Sequence, residues 1–84
     1  MITLSSEMKW LETRMNNNKF EGEIPNKMAL KIVEFAKSIG ITKPYNEFGY
    51  VNFAFEIGDQ YHDVSLKFKK YGGKVPATYE VFND

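Results

Sequence analysis

Cysteine is absent from the 84-residue chain, which excludes disulfide bonds, thiolate nucleophiles and cysteine-ligated zinc sites. The sequence also contains no glycine-rich phosphate loop, no paired-histidine metal motif and no nucleophile elbow. We therefore expect no enzyme activity, no catalytic residues, no bound metal and no cofactor. The length is enough for one domain and too short for two, so residues 1–84 are predicted to form a single domain.

The sequence has neither an excess of one charge nor a long apolar segment. Eleven basic residues balance eleven acidic ones, which argues against non-specific binding to duplex DNA. No stretch approaches the roughly 18 apolar residues of a membrane span, and the N-terminus lacks the basic flank of a signal peptide. These features predict a cytoplasmic protein with no membrane partner. Arg14 is the only arginine, and the lysine-rich composition is typical of an AT-rich genome such as that of a phage or mobile element.

His62 is the only histidine in the chain. As a general base or metal ligand it would need other functional groups nearby, and only Glu56, Asp59 and Asp63 are plausible neighbours. A single histidine on a strand with an alternating apolar pattern is more often part of the packed structure. We therefore predict that His62 lies at the rim of the core, across from Phe55.

Two helices are predicted in the first half of the chain. The first covers residues 5–15, begins at Ser5 or Ser6 as N-cap, and has an apolar stripe formed by Leu4, Met8, Leu11 and Met15. Three consecutive asparagines end it, and residues 19–24 are predicted to be a connecting loop. The second helix has Pro25 in its first turn and stops at Gly40, which fits the left-handed position after a helix end.

The second half of the chain changes to a period of two, which predicts three antiparallel strands in a meander. The strands cover residues 48–57, 61–70 and 74–82, and residues 41–47 are the linker that leads into them. Gly58-Asp59 and Gly72-Gly73 suit two-residue hairpin loops.

These two loops predict a register for each hairpin. The first places Phe53 opposite Val64, and the second places Leu66 opposite Tyr79 and Val64 opposite Val81. Both registers put apolar residues opposite apolar residues on one face of the sheet.

The two helices must cover this apolar face, which predicts an α+β fold. The expected architecture is a two-layer sandwich, with two helices packed on a three-stranded antiparallel meander in the order ααβββ. Pro76 places the last strand at one edge of the sheet, because proline cannot donate to a central ladder. Strand 48–57 is then the other edge, which a short strand of Ile2, Thr3 and Leu4 could protect, or which a partner chain or second copy could complete.

The segment Phe48-Gly49-Tyr50-Val51-Asn52-Phe53 resembles the tail of the RNP1 motif of RRM-type RNA-binding domains. This resemblance implies aromatic side chains that stack on bases from the open face of a sheet. The alternation of the strand independently turns Phe48 and Tyr50 outward and places Lys69 and Lys67 opposite them. These four residues are the candidate site for single-stranded nucleic acid, although the ααβββ order differs from that of the RRM.

Two apolar side chains fall outside the apolar helix faces. Trp10 lies roughly 100–160° around the first helix from its apolar stripe, with Arg14 one turn away. Leu30 falls off the apolar face of the second helix. Because Trp and Arg are enriched at interface hot spots, Trp10, Arg14 and Leu30 are the candidate partner-binding residues. The alternative for Trp10 is burial against the loop at 19–24 or against the second helix.

The leading functional prediction is a small non-enzymatic module that binds another protein, as a regulator or inhibitor from a phage-like genome. The alternative is binding of single-stranded nucleic acid through the outer face of the sheet. Homo-oligomer formation through the edge strand at 48–57 is a further possibility.

Overall fold

The computed structural model describes residues 2–41, 49–67 and 72–83. Within these ranges it contains helices α1 (Ser6–Glu12) and α2 (Asn26–Ser38), and strands β1 (Lys19–Pro25), β2 (Tyr50–Ile57), β3 (Gln60–Lys67) and β4 (Lys74–Asn83). The strands form one antiparallel sheet in the order β1-β4-β3-β2. The predicted α+β class is confirmed, but the order of elements is αβαβββ and the sheet has four strands rather than three. Most of the predicted linker at 41–47 lies outside the described residues.

Helix α1 is shorter than predicted. Ser5 is its N-cap, and the Ser5 side chain accepts a hydrogen bond from the backbone N–H of Met8 at 3.3 Å. At the other end, the hydroxyl of Thr13 donates to the carbonyl of Trp10 at 2.8 Å and satisfies an acceptor that the helix leaves free. The helix ends at Glu12, with Thr13 as its C-cap, and so does not include Met15 as predicted. Met15 is nevertheless partly buried against the core.

The predicted loop at 19–24 is strand β1. Asn17 and Asn18 both have positive φ, at 56° and 62°. The residues on either side, Asn16 and Lys19, exchange backbone hydrogen bonds of 2.8 and 3.1 Å. A two-residue turn with two positive φ values matches the twist of a hairpin and reverses the chain tightly. Beyond this turn, β1 runs antiparallel to β4 along all seven of its residues.

A glycine obscures the strand pattern of β1. Phe20 and Ile24 lie on the core side of the strand, and Gly22 occupies the core-side position between them. The ring of Phe20 lies over Gly22, with its Cζ atom 3.5 Å from where a Cβ would be. The aromatic ring thus fills the space that a side chain at position 22 would occupy.

Helix α2 follows β1 directly, and Pro25 is its N-cap rather than part of its first turn. At the C-terminal end, Gly40 has a φ of +96°, as predicted. The N–H of Gly40 donates to the carbonyl of Lys37 at 3.1 Å, and that of Ile41 donates to Ala36 at 3.0 Å. These two bonds form a Schellman motif, which explains why the helix stops here.

The first hairpin has the predicted register. Phe53 lies opposite Val64 and Val51 opposite Leu66, and Gly58 in the connecting turn has a φ of +59°. Strand β2 lies at one edge of the sheet, as predicted.

The register predicted for the second hairpin is wrong by two residues. Tyr79 lies opposite Val64 rather than Leu66, and Val81 lies opposite His62 rather than Val64. A two-residue shift leaves every side chain on its predicted face, so the alternation of apolar residues is the same in both registers. The contacts between specific side chains, described below, distinguish them. Gly73, which was predicted to be part of the loop, accepts a 2.8 Å hydrogen bond through its carbonyl from Asn26 N at the start of α2, and residues 68–71 lie outside the described chain.

The predicted edge position of Pro76 is also wrong, because β4 lies between β1 and β3. The hydrogen bond between Asn26 and Gly73 sets the alternation of the β1–β4 ladder, and by that alternation the nitrogen of Pro76 points away from β1. On the other side of β4, the described pairing with β3 extends only to Leu66↔Ala77 and does not include Pro76. Pro76 therefore needs no N–H at its position.

The N-terminal residues do not form the short strand that was considered for the β2 edge. Residues 2–5 have no strand assignment, and Ile2 and Leu4 pack against the core instead.

Both helices cover the same face of the sheet, and the core lies between the two layers. It contains the inward side chains of all four strands and the buried faces of α1 and α2, with Met8, Leu11, Ile24, Ile32, Val51, Val75 and Tyr79 all fully buried. No helix in the described ranges covers the opposite face, which we call the outer sheet face.

Candidate functional site

A groove of about 460 Å³ lies where α1 meets the start of α2, and we call it the Trp10 groove. Its lining comes from one turn of each helix and from the residue before α2: Ser6, Glu7, Trp10, Pro25, Lys27, Met28 and Lys31. The apolar part is formed by Trp10, Pro25 and Met28, and the remaining residues are polar or charged. A groove that combines apolar side chains with polar and charged groups can bind a ligand through both kinds of contact.

Two contacts hold Trp10 in place. Its ring meets the ring of Phe20 edge to face, with centroids 6.2 Å apart and an interplanar angle of 65°. The guanidinium carbon of Arg14 lies 3.7 Å from the Trp10 ring centroid, and Arg14 also donates a 3.2 Å hydrogen bond to the Trp10 carbonyl. Trp10 remains 36% exposed. It is therefore neither a core residue nor a freely moving surface side chain, but an ordered aromatic wall of the groove.

The α2 side of the groove is positive. Lys27 and Lys31 line it from α2, and the first turn of this helix contains no acidic residue. Pro25 offers no side-chain hydrogen bond to the first-turn amides, so the positive end of the helix dipole adds to the lysine charges. Lys31 lies 3.6 Å from Glu34, which offsets part of its charge, and Glu7 contributes a negative group across the groove.

The structure brings together two of the three predicted partner-binding residues. Arg14 stacks on the ring of Trp10, and of these two residues only Trp10 lines the groove. Leu30 is 50% exposed on α2, but it is not among the residues that line the groove.

The predicted nucleic-acid site is only partly within the described chain. Tyr50 lies directly opposite Lys67 on the outer sheet face, and the Lys67 ammonium is 5.3 Å from the Tyr50 ring centroid. Phe48 and Lys69, the other two residues of this prediction, lie outside the described residues. The register places five carboxylates on the same outer face, namely Glu21, Glu23, Glu56, Asp63 and Glu80.

His62 lies opposite Phe55, as predicted, but it is buried in the core rather than at its rim. Its side chain is 2% exposed and stacks on Phe55 with ring centroids 4.9 Å apart. Nδ1 forms a 2.7 Å hydrogen bond with the hydroxyl of Tyr79, and Nε2 is buried without a hydrogen-bond partner. Burial lowers the pKa of His62, although the negative charge of Glu12 opposes this shift. In the described residues no group of three or more His, Cys, Asp or Glu side chains could hold a metal ion.

The sequence reasoning missed an aromatic pair on the outer sheet face. Tyr61 and Phe82 are 38% and 47% exposed, lie directly opposite each other on β3 and β4, and have ring centroids 6.4 Å apart. The alternation predicts that both point outward. The incorrect register of the second hairpin placed Phe82 beside Asp63 instead, which separated the two rings.

Comparison of the chain with protein-family models, curated proteins and solved structures finds no match. Among the described residues, neither helix has the length and apolar character needed to cross a membrane.

Proposed function

We propose that this protein is a small non-enzymatic binding module, a regulator or inhibitor that holds a segment of a partner protein in the Trp10 groove. The observation that carries the proposal is the ordered, partly exposed Trp10 ring at the wall of a groove of about 460 Å³. A tryptophan fixed between Phe20 and Arg14 loses little conformational freedom when it is covered. This favours a role as an interface anchor.

The charges around the groove indicate the chemistry of the partner segment. An apolar side chain of the partner would contact Trp10, Pro25 and Met28. Acidic residues next to that side chain would face Lys27, Lys31 and the positive end of α2. We therefore propose that the occupant is a protein segment in which an apolar residue is followed or preceded by acidic ones.

A peptide selection tests this proposal without knowledge of the natural partner. A displayed random peptide library is selected on the wild-type protein alone, and the affinities of the enriched peptides are then measured on the wild type and on Trp10→Ala. We expect the enriched peptides to combine an apolar anchor with acidic residues and to bind Trp10→Ala at least about tenfold more weakly, since hot-spot aromatics contribute 2 kcal/mol or more. Trp10 is the only tryptophan in the chain, so a change in its emission reports binding directly.

Leu30→Ala is the matched control, because Leu30 is at least as exposed as Trp10 and does not line the groove. It should leave peptide affinity unchanged. Melting temperatures of both variants distinguish a binding defect from unfolding. Peptides that bind Trp10→Ala as well as the wild type, or that are predominantly basic, would contradict the proposal.

Nucleic-acid binding is a second candidate, favoured by the contact between Lys67 and the Tyr50 ring. An exposed aromatic ring beside an ammonium group suits stacking on an unpaired base. The five carboxylates of the same face act against it, because they repel phosphates. Titration of labelled single-stranded oligonucleotides at low salt tests this candidate. Binding lost in Tyr50→Ala supports it, and no binding of the wild type rejects it.

A further inference from the structure

The outer sheet face has an exposed aromatic strip next to several carboxylates. Tyr61 and Phe82 form the strip, and Glu56 lies opposite Tyr61 on the neighbouring strand. In the next row of the sheet, Asp63 lies directly opposite Glu80. Two rings that could pack in a core are therefore held at the surface among negative charges.

The negative charge of this region is only partly balanced. Lys19 lies 3.7 Å from Glu80 and 3.5 Å from Glu21, so it is shared between two carboxylates. Within the described ranges, no basic group lies within ion-pair distance of Asp63 or Glu56. Like charges directly opposite each other on adjacent strands repel. Burial is the main cause that raises the pKa of Asp63, and repulsion by the neighbouring Glu80 carboxylate raises it further.

A cation arriving at this face would meet two favourable environments at once. The carboxylates of Asp63 and Glu80 would share a new counter-charge, and the faces of Tyr61 and Phe82 attract cations through their ring quadrupoles. Arginine suits both, because its planar guanidinium stacks on aromatic rings and binds carboxylates at the same time. An open sheet face suits an extended chain segment better than a small molecule, because small molecules bind in concave pockets.

We propose that the outer sheet face, at Tyr61, Phe82, Asp63 and Glu80, is a second interaction surface that binds an arginine- or lysine-rich segment of another protein. This surface lies on the opposite side of the sheet from the helices, and its charge preference is opposite to that of the Trp10 groove. The two surfaces can therefore be tested independently of each other.

The probe is a fluorescein-labelled peptide of alternating arginine and glycine, with a glutamate–glycine peptide of equal length as the charge control. Binding is followed by anisotropy at low and moderate salt, and backbone amide shifts of the ¹⁵N-labelled protein locate the contact. We expect the basic peptide to shift amides around Tyr61, Phe82 and Asp63, and the acidic peptide to leave them unchanged. We expect Phe82→Ser and Asp63→Asn each to weaken binding of the basic peptide by roughly fivefold.

Two controls distinguish a specific surface from general attraction to negative charge. Glu34→Gln removes one exposed carboxylate from α2, the same charge change as Asp63→Asn. It should leave affinity for the basic peptide unchanged, as should Trp10→Ala. The inference is overturned if Glu34→Gln weakens binding as much as Asp63→Asn, if amides on the helices shift instead, or if the basic peptide does not bind at low salt. Unchanged melting temperatures of Phe82→Ser and Asp63→Asn confirm that the variants are folded.

Discussion

The buried pair of His62 and Tyr79 makes a quantitative prediction about stability. Within the described residues, the 2.7 Å hydrogen bond between them is the only one that the structure gives to either side chain, and Nε2 of His62 has no hydrogen-bond partner. Burial raises the pKa of Tyr79 far above its ordinary value, so its hydroxyl keeps its proton at all physiological pH values. Removal of either side chain's polar group leaves the other buried and unpaired. Removal of both leaves no unpaired group of this pair.

A double-mutant cycle measures this difference. Tyr79→Phe leaves His62 Nδ1 unpaired, and we expect the free energy of unfolding to fall by about 1–3 kcal/mol. His62→Leu leaves the Tyr79 hydroxyl unpaired, costs a similar amount, and also loses the stacking on Phe55. In the double variant the penalty for an unpaired polar group is absent, so its destabilisation should be smaller than the sum of the two single effects by about 1–3 kcal/mol.

Urea denaturation of the four proteins at pH 7.5 gives the required free energies, and thermal melts provide an independent check. For a domain of this size, each kcal/mol changes the melting temperature by about 4–8 °C. Strict additivity of the two single effects would show that the hydrogen bond contributes nothing to stability. If the free energy of unfolding of Tyr79→Phe lies within about 0.3 kcal/mol of that of the wild type, leaving Nδ1 of His62 buried and unpaired does not destabilise the protein, and the reasoning is refuted.

Three further predictions concern pH, a helix cap and a helix end. Burial lowers the pKa of His62 below its usual 6.5, so below about pH 6.5 the unfolded chain binds a proton that the folded protein excludes. The free energy of unfolding should therefore decrease as the pH falls below about 6.5. Urea titrations at several pH values between about 6.5 and 5 should show this slope in the wild type and not in His62→Leu. Ser5→Ala should destabilise the protein by about 1 kcal/mol, because the hydrogen bond from Met8 N to the Ser5 side chain is lost. Ser6→Ala should have a much smaller effect, because the Ser6 hydroxyl bonds only to the neighbouring Glu7 side chain. Equal effects of the two variants in thermal melts would argue against the cap. Gly40→Ala should destabilise the protein by about 1–2 kcal/mol, because alanine is strained at a φ of +96° even though no atom lies close enough to clash with its Cβ. Gly72→Ala is the control and should be close to neutral, because position 72 is equally open and has no positive φ. A neutral Gly40→Ala would contradict the Schellman assignment.

Elements with local signals could be predicted from the sequence. Helix α2 has a broad apolar face and a glycine at its end, and both the face and the stop at Gly40 are confirmed. The first hairpin has a turn sequence, Gly58-Asp59, next to two alternating strands, and its register is confirmed. In each case the determining residues lie within a few positions of one another, so local pattern and structure agree.

Elements that depend on distant partners could not be predicted in the same way. Strand β1 has a glycine at its central core-side position, and the residues of β4 that pair with it are 49 to 61 positions away in the chain. Its existence depends on the turn at Asn17 and Asn18 and on the pairing that follows, not on its own alternation. The same limitation affected Pro76, which is tolerated inside the sheet because the β3–β4 pairing has ended beside it.

The candidate binding sites divide in the same manner. Trp10 and Arg14 are one helical turn apart, and the helix periodicity alone placed them together and off the apolar stripe. The position of Trp10 at a groove required the start of α2 to pack beside it. The pairing of Tyr61 with Phe82 required the correct register between β3 and β4, and no local signal could have supplied it.

The amino-acid sequence by itself determined the class of the fold, the course of α2, the first hairpin and the face of the sheet on which each side chain of β2, β3 and β4 lies. Only the tertiary structure decided the fourth strand, the register of β4 against β3, and therefore which side chains meet on the outer sheet face. The physical reason is the period of a β-strand: a shift by two residues preserves every side chain's face, so the apolar pattern cannot distinguish the two registers. His62 and Tyr79, which share a hydrogen bond, are 17 residues apart in the sequence. The Val81 N–H donates a 2.9 Å hydrogen bond to the carbonyl of Asn18, which is much farther away along the chain. Contacts of this kind between distant residues distinguish the registers, and no local pattern contains them.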